Sequence, residues 1–208
     1  MIALIDYGSG NIRSVINALR HEQAEVELIS DPARLDEAAA VVLPGVGAFG
    51  DCVRGLQKRG LWEPIEAWLA ADKPFLGICV GYQMLFETSE ESPDVRGFGF
   101  FNGQVKKFTT PGLKVPQIGW NQLELVEPRH ALWRGLPARP HVYFVHSYFP
   151  ETTDSSVITA RCTYGETFAA SAARGRASGV QFHPEKSQAV GLGILRNFIA
   201  SVPAPAAA

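Results

Sequence analysis

Short apolar runs alternate with longer amphipathic segments in this 208-residue chain, and this alternation constrains the fold most strongly. The apolar runs predict strands at residues 2–5, 26–29, 41–43 and 75–78. Apolar residues three and four positions apart predict helices at residues 11–21, 56–71 and 80–88. A β-α-β-α order is typical of a parallel, doubly wound sheet flanked by helices, and we expect this α/β fold.

The second half of the chain changes character. Gly, Pro and aromatic residues surround short β-like runs, which predicts an antiparallel or mixed β extension of the first sheet. The predicted strands are residues 104–108, 122–126, 142–146, 157–162, 167–171 and 178–182, and the closing helix is residues 191–201. No repeat or linker divides the sequence, so we expect one domain over residues 1–201 and a frayed Ala/Pro tail at 202–208.

Composition excludes several classes of protein. Hydrophobic residues make up 46 % and charged residues 19 % of the chain, which is typical of a folded core. The net charge of −2 and the lack of a basic run argue against nucleic acid as a partner. No apolar run approaches the ~20 residues of a membrane span. The three cysteines lack metal-ligand spacing, which indicates a reduced cytoplasmic protein without disulfides, metal or cofactor.

The stretch KPFLGICVGYQMLFE places Cys79 between a predicted strand and a predicted helix. Gly77-Ile78-Cys79-Val80-Gly81 has the form of a nucleophile elbow, in which small neighbours allow a tight turn that exposes the nucleophile. A helix beginning there would direct its N–H groups at the sulfur and favour thiolate. By itself the motif also fits an inert, buried cysteine.

A nucleophile needs a base, and GVQFHPEKS provides the best candidates. His183 follows a predicted strand, and Glu185 lies two residues later, where its carboxylate could orient the imidazole. Pro184 between them restricts the turn. The glycines of PGVGAFG, residues 44–50, would let backbone N–H groups approach an oxyanion, although glycine-rich turns also occur without any such role.

Together, GICVGYQ, QFHPEKS and PGVGAFG resemble the triad-type glutamine amidotransferases. DYGSGNIRSV, KVPQIGWNQL and VYFVHSYF further resemble the glutaminase subunits of imidazole glycerol phosphate synthases, and the resemblance extends over nearly the whole chain. It implies that Cys79 attacks the side-chain amide of glutamine, that His183 transfers protons and that Glu185 orients His183.

The resemblance also implies further roles. The oxyanion strand would be Gly45, Val46 and Gly47. The backbone amide of Val80, next to the nucleophile, is expected as a second donor on chemical grounds. The glutamine-binding residues would be Gln83, Glu91, Ser147 and Tyr148. The residues at or near a partner interface would be Asn11, Trp120, Tyr143 and Lys186.

The partner implied by the resemblance is a cyclase subunit with a TIM-barrel fold. It would use the ammonia to form imidazole glycerol phosphate and AICAR in histidine biosynthesis. Val80, Tyr82 and Gln117 differ from the residues we expect most often in that family, but none is a triad position. The alternatives are the glutaminase of another synthase, a free-standing cysteine hydrolase and a binding module with a structural Cys79.

Overall fold

A large mixed sheet forms the centre of the computed structural model, which describes residues 1–8 and 10–203. In this part of the chain the sheet has nine strands in the order β2-β1-β3-β4-β12-β11-β10-β7-β8. The strands of its parallel half are β1 (Ile2–Ile5), β2 (Val26–Ile29), β3 (Ala40–Gly45), β4 (Phe75–Cys79) and β12 (Ala177–Val180). All five lie next to a parallel neighbour. The β-α alternation predicts this for the first four, whereas β12, which was expected in the β extension, pairs in parallel with β4.

The other half of the sheet is antiparallel and continues from β12. Its strands are β7 (Gln117–Leu125), β8 (His141–His146), β10 (Ile158–Tyr164) and β11 (Glu166–Arg174). A separate small sheet joins β5 (Thr88–Ser89), β6 (Gln104–Lys107) and β9 (Tyr148–Glu151). The predicted α/β fold with a β extension is therefore confirmed.

Helices cover the sheet. The α-helices are α1 (Ile12–His21), α2 (Phe49–Lys58), α3 (Trp62–Ala70), α4 (Val80–Gln83) and α5 (Gln188–Ser201). Short 3-10 helices lie at Pro32–Glu37, Ala131–Trp133, Ser155–Val157 and Pro184–Lys186. α1 packs against α5, and α2 packs against α3. In the described residues, no helix is long and apolar enough to span a membrane.

The prediction of one continuous helix over residues 56–71 is wrong. α2 begins earlier, at Phe49, and ends at Lys58, and α3 begins at Trp62. Gly60 lies between them with a φ of +66°, a left-handed conformation that ends a helix and that glycine adopts without steric cost. The apolar residues of both helices face the core, so their spacing gave one helical pattern across the break.

The predicted helix over residues 80–88 is also wrong in length, because α4 has only four residues. Beyond it, the carbonyl groups of Met84 and Phe86 accept hydrogen bonds from the backbone N–H groups of Phe98 and Gly99. A distant segment thus takes the acceptors that a longer helix would use. With a single turn, α4 has little of the macrodipole that the sequence analysis assigned to it.

The predicted frayed tail lies mostly outside the described residues, since only positions 202 and 203 of the range 202–208 are described. Position 9 in the N-terminal turn DYGSGN also lies outside them.

Candidate active site

Cys79 ends β4 at a sharp turn into α4. Its φ is +56°, a left-handed conformation that is uncommon for a residue with a side chain. Gly81 allows this turn, because a Cβ at that position would lie 1.9 Å from the carbonyl oxygen of Leu43 in β3. A Cβ on Gly77 would lie 2.6 Å from the carbonyl oxygen of Gly81. The structure therefore gives the steric reason for both glycines of the predicted elbow.

His183 comes to the same edge of the sheet through β12. This strand is parallel to β4, and Val180 pairs with Ile78, so both chains leave the sheet at the same end. Cys79 and His183 line a common cavity of about 290 Å³. Behind it, His183 Nδ1 lies 2.8 Å from Glu185 Oε1, and the two side chains are only 5 % and 1 % exposed. The structure thus brings the three predicted catalytic residues together.

The protonation of His183 depends on these neighbours. Burial alone lowers the pKa of the imidazole, but hydrogen bonds to the Cys79 sulfur and to the Glu185 carboxylate outweigh burial and raise the pKa to about 10. Glu185 Oε1 also accepts a hydrogen bond from Asn11 Nδ2 at 3.3 Å. Its Oε2 is buried and has no partner in the described part of the chain. The imidazolium is therefore the main neighbour that balances this buried carboxylate.

We expect the free energy of unfolding of Glu185→Gln to change less than that of the wild type as the pH rises above ~6.5. In the wild type, the raised pKa of His183 stabilises the folded state fully below pH ~6.5, and this stability is lost as the pH rises toward 10. Removing the carboxylate lowers that pKa. The free energy of unfolding of the wild type, minus that of the variant, should therefore fall by ~1–3 kcal/mol between pH 6.5 and 10, as measured by urea unfolding.

Glu66→Gln is the matched control for this experiment, because Glu66 is an exposed carboxylate of α3. Its difference from the wild type should stay constant over the same pH range. A constant difference for Glu185→Gln as well would show that the carboxylate does not control the charge of His183.

The predicted oxyanion strand begins at Gly45, the last residue of β3, and lies beside the nucleophile. Gly45 pairs directly with Cys79 in the parallel register of β3 and β4. Val46 and Gly47 line the cavity, as does Val80. As the first residue of α4, Val80 has an N–H group without an intrahelical acceptor. Both predicted sources of oxyanion donors therefore reach the cavity.

The four residues predicted to bind glutamine, Gln83, Glu91, Ser147 and Tyr148, also line the cavity. Two of them have contacts that the sequence did not indicate. The backbone N–H of Phe49 donates to Glu91 Oε2 at 2.7 Å, which fixes this carboxylate at the start of α2. Gln83 Nε2 donates to the Tyr148 carbonyl at 2.9 Å. The binding roles of all four residues stay predictions.

The four residues predicted at a partner interface occupy different positions. Trp120 is 48 % exposed and lies edge-on to Tyr143, with ring centroids 6.1 Å apart. Lys186 is exposed at the rim of the cavity. Asn11 is half-buried, and its Nδ2 donates to Glu185 Oε1. A core position for Trp120, which the sequence left open, is excluded by its exposure.

Sequence reasoning missed Gln181, which is fully buried beside the nucleophile. Its Nε2 lies 3.8 Å from Cys79 Sγ. The available signal was the alternation in Gln181-Phe182-His183, because residues two positions apart in an extended chain face the same side. In the described residues, no group of three or more His, Cys, Asp or Glu side chains could hold a metal ion.

Comparison with known proteins decides the family. The model of the family "Glutamine amidotransferase class-I" matches residues 3–202. The chain belongs to this family of glutamine amidotransferases. Similar full-length relatives include the "Imidazole glycerol phosphate synthase subunit HisH" of Microcystis aeruginosa, with 49 % identity over 97 % of this chain and 96 % of the relative. The protein of that name from Methylococcus capsulatus is 45 % identical, over 95 % of each chain.

Solved structures show the same fold. A crystal structure described as a glutamine amidotransferase has a TM-score of 0.76 and 17 % identity, over 96 % of this chain and 98 % of that one. The structure of PurLQS from Thermotoga maritima has a TM-score of 0.73 and 18 % identity, over 97 % and 96 %. The solved structures confirm the fold, and the family model and the full-length relatives confirm the predicted enzyme class and the resemblance seen in the motifs.

Proposed function

We propose that this amidotransferase is the glutaminase subunit of an imidazole glycerol phosphate synthase. It would hydrolyse glutamine and pass the ammonia to a cyclase subunit in histidine biosynthesis. The observation that carries the proposal is that Cys79 and His183 line one cavity, and that the His183 imidazole is hydrogen-bonded to the Glu185 carboxylate. The full-length likeness to HisH subunits supports the choice of this synthase over another. We further propose one domain over residues 1–201 and a cytoplasmic location.

The reaction would proceed in two steps on Cys79. The sulfur attacks the side-chain amide carbon of glutamine, and the negative charge that develops on oxygen is met by backbone N–H groups of residues 45–47 and of Val80. The His183 imidazolium gives its proton to the nitrogen, the C–N bond breaks, and ammonia leaves a γ-glutamyl thioester. His183, now neutral, takes a proton from water, which attacks the thioester and releases glutamate and the thiolate.

Glutamine would be held by groups around the sulfur. The Glu91 carboxylate, fixed by the Phe49 N–H, provides a negative charge for the α-ammonium group. Ser147, between β8 and β9, and Tyr148, the first residue of β9, also line the cavity, and the α-carboxylate would lie against them. Gln83 faces the same space from α4. The amide carbon would then be placed over Cys79.

The partner would bind near the exposed aromatic patch of β7 and β8. Ile118 is 58 % exposed and Trp120 is 48 % exposed, and side chains two apart on a strand share one face. Tyr143 on β8 pairs with Trp120. Exposed large apolar side chains of this kind are typical of an interface. Lys186, at the rim of the cavity, lies where ammonia would leave toward a TIM-barrel cyclase.

The test is a glutaminase assay of the purified chain alone, with the cyclase subunit of the same organism, and with that subunit plus its ribotide substrate. We expect glutamate production to rise by ~5–150-fold in the last case, since coupling free energies between sites are typically ~1–3 kcal/mol. The physical reason that we propose is that docking turns the N–H groups of the glycine-rich oxyanion strand, which already borders the cavity, toward the glutamine oxygen.

Two outcomes would contradict the proposal. Full activity of the chain alone would favour a free-standing cysteine hydrolase. Failure to bind the cyclase, with stimulation by a different synthase subunit, would assign the chain to another amidotransferase. Co-elution of the two subunits in size-exclusion chromatography measures binding separately from activity.

A further inference from the structure

Gln181 follows β12 at the level of the nucleophile. Val180 pairs with Ile78, so the next residues of the two parallel strands, Gln181 and Cys79, are neighbours. The Gln181 side chain is 0 % exposed, and its backbone N–H donates to the Ala170 carbonyl at 2.9 Å. A buried amide is costly unless its polar atoms have partners. The identity of those partners indicates what the residue does.

We propose that Gln181 is a positioning residue that holds the Cys79 sulfur with an N–H donor and connects it to the Ser147–Tyr148 side of the cavity through Gln83. Gln181 Nε2 lies 3.8 Å from Cys79 Sγ, and Gln181 Oε1 accepts from Gln83 Nε2 at 3.0 Å. Gln83 Nε2 also donates to the Tyr148 carbonyl at 2.9 Å. This role deepens the proposed glutaminase function and rests on it.

The direction of these hydrogen bonds is fixed by a backbone group. The Tyr148 carbonyl can only accept, so Gln83 presents its NH₂ group there. The same NH₂ group faces Gln181, whose amide therefore presents its oxygen to Gln83. The nitrogen of Gln181 is left directed at the sulfur. A thiolate is an acceptor only, so this orientation suits the reactive form of Cys79.

His146 fixes the far end of the network. Its Nδ1 lies 2.8 Å from the Tyr148 carbonyl. Burial lowers the pKa of His146 to about 4, so the ring is neutral near pH 7 and its single proton lies on Nδ1, facing the carbonyl. With two donors, this carbonyl is held in one orientation. The chain of contacts thus runs from the cavity wall to the sulfur.

The short α4 explains why such a donor is needed. A helix of several turns could direct its N-terminal dipole at the sulfur, but α4 has four residues. Cys79 is only 4 % exposed, so little water reaches it. The Gln181 side chain supplies the hydrogen-bond donor that neither a long helix nor water provides here. Hydrogen bonds to charged groups contribute more than those between neutral groups.

The experiment compares Gln181→Met with Gln181→Glu. Met keeps the approximate length but loses the donor, whereas Glu keeps an acceptor for Gln83 and places a carboxylate beside the sulfur. We expect Gln181→Met to lower the rate of Cys79 labelling by iodoacetamide at pH 7 about 5–10-fold. In the complex with the cyclase, kcat for glutamine should fall about 10–100-fold, with KM changed less than about threefold. Gln181→Glu should lower labelling further than Gln181→Met.

Gln57→Met, an exposed glutamine of α2, is the matched control and should label like the wild type. Wild-type labelling in Gln181→Met, or a raised KM with unchanged kcat, would overturn the proposal. If both Gln181 variants lose their cooperative thermal transition, the residue serves packing and the proposal also fails. Iodoacetamide labelling does not require glutaminase activity. If the Gln181 variants label more slowly as expected but the wild-type complex has no glutaminase activity, only the proposed function is contradicted.

Discussion

Cys79→Ala should lower glutamine-dependent synthesis by the complex at least about 1,000-fold, while synthesis from added ammonium stays within about twofold of the wild type. In the proposed reaction this sulfur forms the thioester, and no other thiol among the described residues lines the cavity. In the proposed function ammonia enters the cyclase reaction after this step, so added ammonium would bypass the lost nucleophile. The measurement is imidazole glycerol phosphate formed with glutamine or with ammonium chloride at pH 8.5.

Cys162→Ala is the matched control. Cys162 lies in β10, and burial raises the pKa of its thiol to about 12, so this cysteine is neutral and should not act as a nucleophile. Its removal should leave both activities near the wild-type value. If Cys79→Ala lowers the two activities together, the substitution damages folding or docking, and the assignment of Cys79 as nucleophile loses its support.

The first four strands of the parallel half were predictable because local sequence decides them, whereas the parallel pairing of β12 with β4 was not. The residues of β1 and β4 are almost all apolar, and strands buried on both faces require this. The helix boundaries were less predictable. Val80, Tyr82, Leu85 and Phe86 are all buried, but they are buried from several sides rather than along one helical face. Their spacing therefore resembled a longer helix than α4.

The contact between His183 and Glu185 could be predicted, whereas the contacts that Gln181 and Asn11 make with the candidate catalytic residues could not. His183 and Glu185 are close in sequence, so their contact follows from a short turn. The contact of Gln181 with Cys79 depends on the register between β12 and β4, which are about 100 residues apart in the chain. Asn11 reaches Glu185 from the other end of the sequence. A single sequence does not specify such long-range registers, although their chemistry is evident once the sheet order is known.

Gly81→Ala should destabilise the protein by about 3 kcal/mol or more and also lower glutaminase activity of the complex about 100-fold. The added Cβ would lie 1.9 Å from the Leu43 carbonyl oxygen, a backbone atom of β3 that cannot rotate away. The turn after Cys79 must therefore shift by about an ångström, and misplacement of this size is enough to impair a positioned nucleophile. Urea unfolding and the glutaminase assay measure the two effects.

Gly112→Ala separates steric overlap from the general cost of replacing a glycine. Gly112 has a φ of +81° and no atom within 4 Å of an added Cβ, so its replacement should cost only ~1 kcal/mol and leave activity unchanged. Equal losses in both variants would show that the elbow tolerates a side chain.

The comparison with Cys79→Ala is equally informative, because that variant keeps the turn and removes the sulfur. Gly81→Ala keeps the sulfur and moves it, so only this variant should lose stability and glutamine-dependent activity together.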